Sequence, residues 1–504
     1  MSQEHPSPTE RAAELAEHET PVPVWVALIP VVLLIGLLTM NVIIFGDNAL
    51  FGSNQVVLIF AASVAAALAI KYGSNWHDLQ QGIVNSIRIS TPAILVLLMV
   101  GALSGSWLLS GVVPTMIYYG LFILSPGIFL FAACVISAIV SVATGSSWTT
   151  SATIGIALMG IGQALGMNPA LIAGAILSGA YFGDKLSPLS DTTNLAAGVG
   201  GTDLFTHIRY MTITTIPSIS IALVLFLLIG FFGHSEGETQ TLAMREALQS
   251  RFNLNPLLLL VPAAVIFMIV KKVQALPTIF IGALLGGVFA LIFQYPLVVQ
   301  VGQDLSNGDF PLYVGLMSTF FGDIAIATGN ETLDGLLSSG GMGGMLITVW
   351  LILSAMIFGG VMEASGFLRK ITSVLIARAT TPGKLVTATA GTCIFTNLSA
   401  SDQYLSVVVP GRMYAEAFQK QGLASQNLTR TLEDSGTVTS VLVPWNTCGA
   451  YHASVLGVAT LAYAPFAFFC LISPIMTVAV AWWGWKLAFD KKPAEAVEPA
   501  SQPG

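Results

Sequence analysis

Apolar stretches of membrane-spanning length alternate with short polar interruptions along most of the chain. Val22 to Phe45 is long enough to cross a bilayer, which takes roughly 20 apolar residues in a helix. Gln55 to Ile70 predicts a second, shorter span. Trp76 to Ser90 is mixed in polarity and reads as an amphipathic helix along the membrane surface, followed by a separate span from Pro92 to Leu109. Pro114 to Leu124 is too short to cross, and Phe129 to Val142 spans again. Farther on, Ile208 to Phe232 spans and Gly233 to Asn255 reads as a polar loop. Pro256 to Val270 and Pro277 to Phe293 form two spans around Lys271 and Lys272. A loop from Gln294 to Met345 then leads to the span Leu346 to Met362.

The interruptions carry more information than the spans. No Asp, Glu, Lys or Arg occurs between Arg88 and Asp184, and that uncharged run opens onto GDKLSPLSDTTN, Gly183 to Asn194. A helix cannot pass straight through this segment, because Pro188 lacks an amide hydrogen and clashes with the preceding turn. Upstream, VATGSSWTTSATIG (Val142 to Gly155) is a Gly/Ser/Thr run between two apolar segments. Irregular chain at membrane depth survives only where protein or water surrounds it, so a re-entrant hairpin tip is expected there. Close helix packing by small residues is the alternative. The second half repeats this plan. FTNLSASDQYLSVVVPGRMY (Phe395 to Tyr414) is again Ser-rich, and EDSGTVTSVLVPWNTCGA (Glu433 to Ala450) again carries a proline, Pro444. Paired interruptions at corresponding places point to an inverted-repeat transporter with its site near the midplane. The expected fold is therefore an all-α polytopic membrane protein. Its two inverted-topology repeats, at about 55–232 and 277–489, each hold a re-entrant hairpin and a discontinuous helix. They form a single domain over 22–489, between a disordered soluble tail at 1–21 and a second tail at 490–504.

Composition narrows the class. The 504 residues are 54% hydrophobic and 9% charged, whereas soluble domains carry roughly 25% charged residues. Basic residues are few and scattered, so nucleic acid is not an expected partner. The four cysteines, Cys134, Cys393, Cys448 and Cys470, form no CxxC or Cys/His pattern and read as small buried residues. Residues 1–21 have no basic start and no cleavage site and read as a soluble tail rather than a signal peptide. Basic loops stay in the cytoplasm. That places Lys271 and Lys272, the stretch from Arg369 to Lys384, and the terminal Lys486, Lys491 and Lys492 inside. The acidic stretch from Gln294 to Met345 falls outside.

The clusters supply oxygen. A carboxylate at mid-membrane costs about 2.5–3.5 kcal/mol on insertion scales, which a bound cation can offset. Hard cations such as sodium take carboxylate, amide, hydroxyl and carbonyl oxygens. The clusters offer that set, and none of the candidate ligands is His or Cys. The sodium-binding candidates are Asp184, Ser187, Asp191, Thr192 and Asn194 in the first half. Asn397, Ser399, Asp402, Asp434, Thr437, Asn446 and Thr447 are their counterparts in the second. A carboxylate that holds either sodium or a proton, but not both, exchanges one for the other as it alternates between sides. Each net charge moved is worth about 2.3 kcal/mol per 100 mV. No cofactor is called for; the partners are sodium, protons and the lipid bilayer, with a homodimer held open. Each acidic residue has a structural alternative, pairing with Lys185, Arg412 or Arg430. Trp148 and Trp445 read as packing residues, and His452 as a buried neutral imidazole.

At these residues the chain resembles the NhaC family of sodium/proton antiporters, over most of Val22 to Phe489. The segments that carry the resemblance are GSSWTTSATIGIALMGIG, GAYFGDKLSPLSDTTNLAA, DQYLSVVVPGRMY and EDSGTVTSVLVPWNTCGA. It implies a bacterial inner-membrane protein that exchanges internal sodium for external protons. It also implies two inverted repeats, with Asp184, Asp191, Asp402 and Asp434 as the acidic candidates. A sodium-coupled exchanger of small carboxylates, of the malate/lactate type, is the nearest rival, with Lys185, Arg209 and Arg412 as available bases. An enzyme is not expected: no HExxH or GxxxxGK[ST] pattern occurs.

Overall fold

The computed structural model describes residues 22–45, 49, 51–232, 238–306, 309–329, 333–334, 337–377 and 379–490. The tails expected at 1–21 and 490–504 lie outside them, Asp490 apart. The described chain is helical except for one two-residue antiparallel pair, Ile324–Ala325 with Ser338–Ser339. Among the described residues seven helices are long and apolar enough to cross a membrane, and two bent pairs raise that to nine. This is a multi-pass membrane protein.

Most spans lie where the hydrophobic pattern puts them. Val24–Phe45, Ser53–Lys71, Pro126–Thr144, Leu204–Phe232, Ala275–Phe293 and Leu346–Ala364 are single helices. Val112–Ile123 is the short apolar helix expected after residue 110. Three readings need correction. Trp76 to Ser90 is not a separate surface helix, because Trp76–Leu109 is one continuous rod of 34 residues. Pro92 removes only its own amide bond, and the rod is held against a neighbouring helix in the turns before it. Gly82 lies so close to the Leu346–Ala364 helix that a Cβ there would sit 2.5 Å from the Ala364 Cβ. The Ser90 hydroxyl meets the Met356 sulfur at 2.8 Å.

The polar loop expected from Gly233 to Asn255 contains the helix Glu238–Arg251, whose Ala, Leu, Met and Arg residues are strong helix formers. Its Met244 and Leu248 are buried. Arg245 stands over the Phe122 ring, 3.4 Å from the centroid. The loop expected from Gln294 to Met345 contains two helices, Tyr295–Leu305 and Pro311–Phe321. They cross where Gly302 and Gly315 admit backbone contact. A Cβ on Gly315 would lie 2.1 Å from the Val298 carbonyl oxygen.

The tightest helix pair positions the site. Pro126–Thr144 packs along Pro169–Leu186, and the approach depends on Gly179 and Gly183. Cβ atoms there would fall 2.0 Å from the Cys134 carbonyl oxygen and 2.4 Å from that of Ala138. This is the small-xxx-small spacing by which membrane helices bring backbones together. Gly179→Leu is expected to abolish the folded protein, read as loss of a monodisperse peak after detergent extraction.

Hydrogen bonds define two ends of the molecule. At one, Gln421 donates to the Ala379 carbonyl, Tyr210 to that of Lys486, and Thr202 pairs with Ser425. This is the basic end. At the other, Asn253 and Gln294 exchange two bonds, and Gln249 donates to Tyr118.

Candidate functional site

Each half of the chain brings a helix to a break, turns, and brings a second helix to another break beside it. In the first half, Pro126–Thr144 ends on Gly145 at φ 68°, a left-handed conformation that suits glycine. Ser146 then caps the next helix by accepting the Thr149 amide at 3.2 Å. A π-turn, Ser151–Gly155, leads into Ile156–Ala164. The antiparallel helix Pro169–Leu186 stops before Pro188, and Ser190 caps Asp191–Gly200. The two breaks touch. The Ser187 hydroxyl donates to the Val142 carbonyl at 2.8 Å, and a Cβ on Gly145 would fall 2.6 Å from the Leu189 Cβ. Gly145→Ala is expected to lower the melting temperature. It adds that clash to the roughly 1–2 kcal/mol cost of a left-handed non-glycine residue.

In the second half, Pro382–Ser399 ends at a turn in which Ser401 has φ 59°. Asp402 caps Gln403–Lys420 by accepting the Leu405 amide at 3.0 Å. Ser425–Leu432 continues through a π-turn, Glu433–Thr437, and breaks at Pro444. Asn446 then caps Thr447–Leu456 by accepting the Cys448 amide. The halves interlock. Asp191–Gly200 packs on Gln403–Lys420, while Thr447–Leu456 packs on the segment 151–164.

The sequence-predicted residues fall into three groups. The first is open and acidic. Asp184 is buried, and its Oδ2 accepts the Ser147 amide at 3.0 Å and the Ser147 hydroxyl at 2.7 Å. A carboxylate at a helix N-terminus is electrostatically favoured there. Asp191 lies beside it and is exposed. Tyr404, 37% exposed, has Asp191, Asp402 and Asp184 as its charged neighbours. Carboxylates from both halves thus act on one tyrosine. Among the described residues only Lys185–Asp434 and Lys420–Glu416 form ion pairs, so none of the three is paired with a base. No three His, Cys, Asp or Glu side chains among the described residues converge as a tight metal cluster.

The second group is sealed. Asp434, expected as a ligand, is fully buried and ion-paired with Lys185, which is equally buried. Ser473 donates to its Oδ1 at 2.9 Å and Thr214 to its Oδ2 at 2.8 Å. The lysine's partner is therefore in the other half of the chain, not the adjacent Asp184. Arg430, the base proposed for Asp434, stacks 4.7 Å from the Tyr210 ring instead.

The third group is an amide brace. Asn397 donates to the Gly436 carbonyl at 2.7 Å and to Thr439 at 3.0 Å. Asn446 donates to the Asn397 side chain at 3.0 Å. The Thr447 hydroxyl donates to Asn446 at 3.4 Å, and its amide to the Ser401 carbonyl at 3.0 Å. Ser399 donates to its own helix at Phe395. In the first half, Thr192 pairs with Ser190, and the exposed Asn194 donates to the Pro188 and Ser190 carbonyls. These groups shape the breaks. Thr437 differs from them, for its buried hydroxyl has no partner.

The two ends of this region differ in exposure. Asp191, Asn194 and Gly198 form one exposed face of their helix, running toward the basic end. At the other end Tyr451 and His452 are fully buried. Trp148 stacks on Tyr451 with centroids 4.0 Å apart, and the Tyr451 hydroxyl donates to the Trp148 carbonyl. Trp445 donates to the Leu398 carbonyl at 2.8 Å, and the four cysteines are free and buried.

Sequence reasoning passed over Lys185 as a cross-link between halves, and Glu433 as a buried carboxylate. A signal for both was present. Adjacent residues on a helix point about 100° apart, so Asp184 with Lys185, and Glu433 with Asp434, must face different neighbours.

Comparison with known proteins identifies the family. Residues 179–485 match the Na+/H+ antiporter family. The chain is 38% identical over 452 residues to the Na+/H+ antiporter NhaC of Alkalihalophilus pseudofirmus, covering 90% of this chain and 95% of that one. It is 36% identical to the malate-2H+/Na+-lactate antiporter of Bacillus subtilis, over 87% of this chain and 91% of the other. With the NhaC of Bacillus subtilis it shares 35% identity, over 84% and 91%. These relatives are transporters rather than enzymes, and on this extent of likeness the chain belongs to the Na+/H+ antiporter family, with the NhaC antiporters among its relatives.

Proposed function

We propose that the protein exchanges cytoplasmic sodium for external protons at the group formed by Asp184, Asp191 and Asp402, in a bacterial inner membrane. The observation that carries this reading is that Asp184, Asp191 and Asp402, which come from both halves at the helix breaks, belong to no ion pair among the described residues, and that one of them is exposed. Sodium and protons compete for the same oxygens, so the site crosses the membrane loaded with one or the other. Burial favours the neutral, protonated form of a carboxylic acid, and a bound cation favours the ionised form. No cofactor enters the cycle.

The basic end is assigned to the cytoplasm by its Lys and Arg residues, which puts the C-terminus inside. The exposed Asp191–Gly198 face then leads inward. The Trp148–Tyr451 stack closes the outward path. The repeated order of helix, break and helix, at 126–232 and 382–482, supports two inverted repeats within a single domain over 22–489. Their interlocked breaks suit alternating access, in which one repeat rocks against the other.

The test is a pH-gradient dequenching assay in proteoliposomes, with sodium, lithium, potassium and malate offered in turn. Sodium-dependent proton movement is expected. Its absence under an imposed pH gradient would remove the reading.

Arg430 favours a second reading, sodium-coupled exchange of small carboxylates. Its guanidinium is fully buried and belongs to no ion pair among the described residues. One relative is named as a malate-2H+/Na+-lactate antiporter. Labelled malate taken up in a sodium-dependent way, and lost in Arg430→Gln, would establish it.

A further inference from the structure

We infer that Glu433 and Thr437 form a second monovalent-cation site, deeper than the Asp184 group. The inference rests on the proposed exchange only for the identity of the ion. Glu433 is fully buried, and neither of its carboxylate oxygens accepts a hydrogen bond. Thr437, four residues on in the same π-turn, is also fully buried, and its hydroxyl has no partner. The two residues lie four apart in this turn, a spacing that puts side chains on one side of a helix. Such a pair of unsatisfied groups is uncommon, because buried polar groups are nearly always hydrogen-bonded.

Charge balance points the same way. The charged neighbours of Glu433 are Lys185, Asp184 and Asp434. Lys185 is committed to Asp434 and Ser473. Asp184 is held by the Ser147 amide and hydroxyl. Cys393, from the helix Pro382–Ser399, is the remaining titratable group close by. The lysine is ion-paired with Asp434, and Glu433 is left outside every ion pair among the described residues. An isolated carboxylate in a dry interior is far costlier than one that coordinates a cation. The carboxylate oxygens and the Thr437 hydroxyl are hard ligands of the kind sodium takes.

Purified protein in detergent would be assayed for radiolabelled sodium by scintillation proximity at constant pH. The native chain is expected to bind two ions. Glu433→Gln and Asp184→Asn are each expected to bind one, and Thr437→Val to bind two with one weakened about tenfold. Glu433→Asp, which keeps the charge, serves if the glutamine variant fails to fold, and should weaken one of the two sites. Native stoichiometry and affinity in both Glu433→Gln and Thr437→Val would overturn the inference while leaving exchange at Asp184 untouched. One site in the native chain would overturn it as well. Loss of exchange itself is read separately, in the proteoliposome assay, and bears on the proposed function.

Discussion

Lys185→Ala is expected to destabilise the detergent-solubilised protein by about 3–5 kcal/mol, the range for removing one partner of a buried ion pair. The loss is large because Asp434 would stay behind as an uncompensated buried charge. Lys185 and Asp434 are both 0% exposed, and their helices belong to different halves of the chain. Ser473 and Thr214 complete the shell around the carboxylate, so no spare donor is at hand to replace the ammonium. Replacing both partners together, as Lys185→Met with Asp434→Leu, is expected to recover most of the stability, since a well-packed apolar pair is often no worse than a buried ion pair. Thermal unfolding of the two single variants and the double gives the coupling directly. Additive losses would mean that the pair contributes nothing of its own. Retained exchange in the double variant would place Asp434 outside the ion path, and lost exchange at full stability would return it to the ligands.

Asp184→Asn is expected to leave the fold intact and to weaken apparent sodium affinity by about 10- to 100-fold. An asparagine oxygen can still accept the bonds from Ser147 that hold this position. What it lacks is the charge, and contacts to a charged group contribute roughly 1.5–3 kcal/mol. Asp191→Asn should have a smaller effect, because Asp191 is exposed and water screens it. The sodium dependence of proton flux in proteoliposomes measures both. An unchanged sodium half-saturation in Asp184→Asn would remove Asp184 from the site.

These two expectations differ in how far the sequence could have led to them. The breaks at Pro188 and Pro444 were legible because proline cannot donate to the helix ladder, wherever the helix sits. Asp184 was legible as a candidate because a carboxylate next to an uncharged run of membrane length demands an explanation. Asp434 was legible for the same reason, and its fixed partner was not. Lys185 lies 249 residues away, and no local pattern links them. The helix Glu238–Arg251 was passed over for a different reason. Its polar face reads as loop, while its apolar side chains are few and Arg245 is held over the Phe122 ring of a distant segment.

By itself the sequence determined that this chain lives in a membrane, where its spans must break, and which oxygen-bearing residues gather at the breaks. Those properties follow from apolar run length and from backbone hydrogen bonding, both of which are local. Only the tertiary structure decided which carboxylates stand free, which one is tied to a lysine, and which amides merely brace the turns. That choice depends on which face of each helix meets the other half of the chain, and one residue's rotation is enough to exchange a free acid for a paired one.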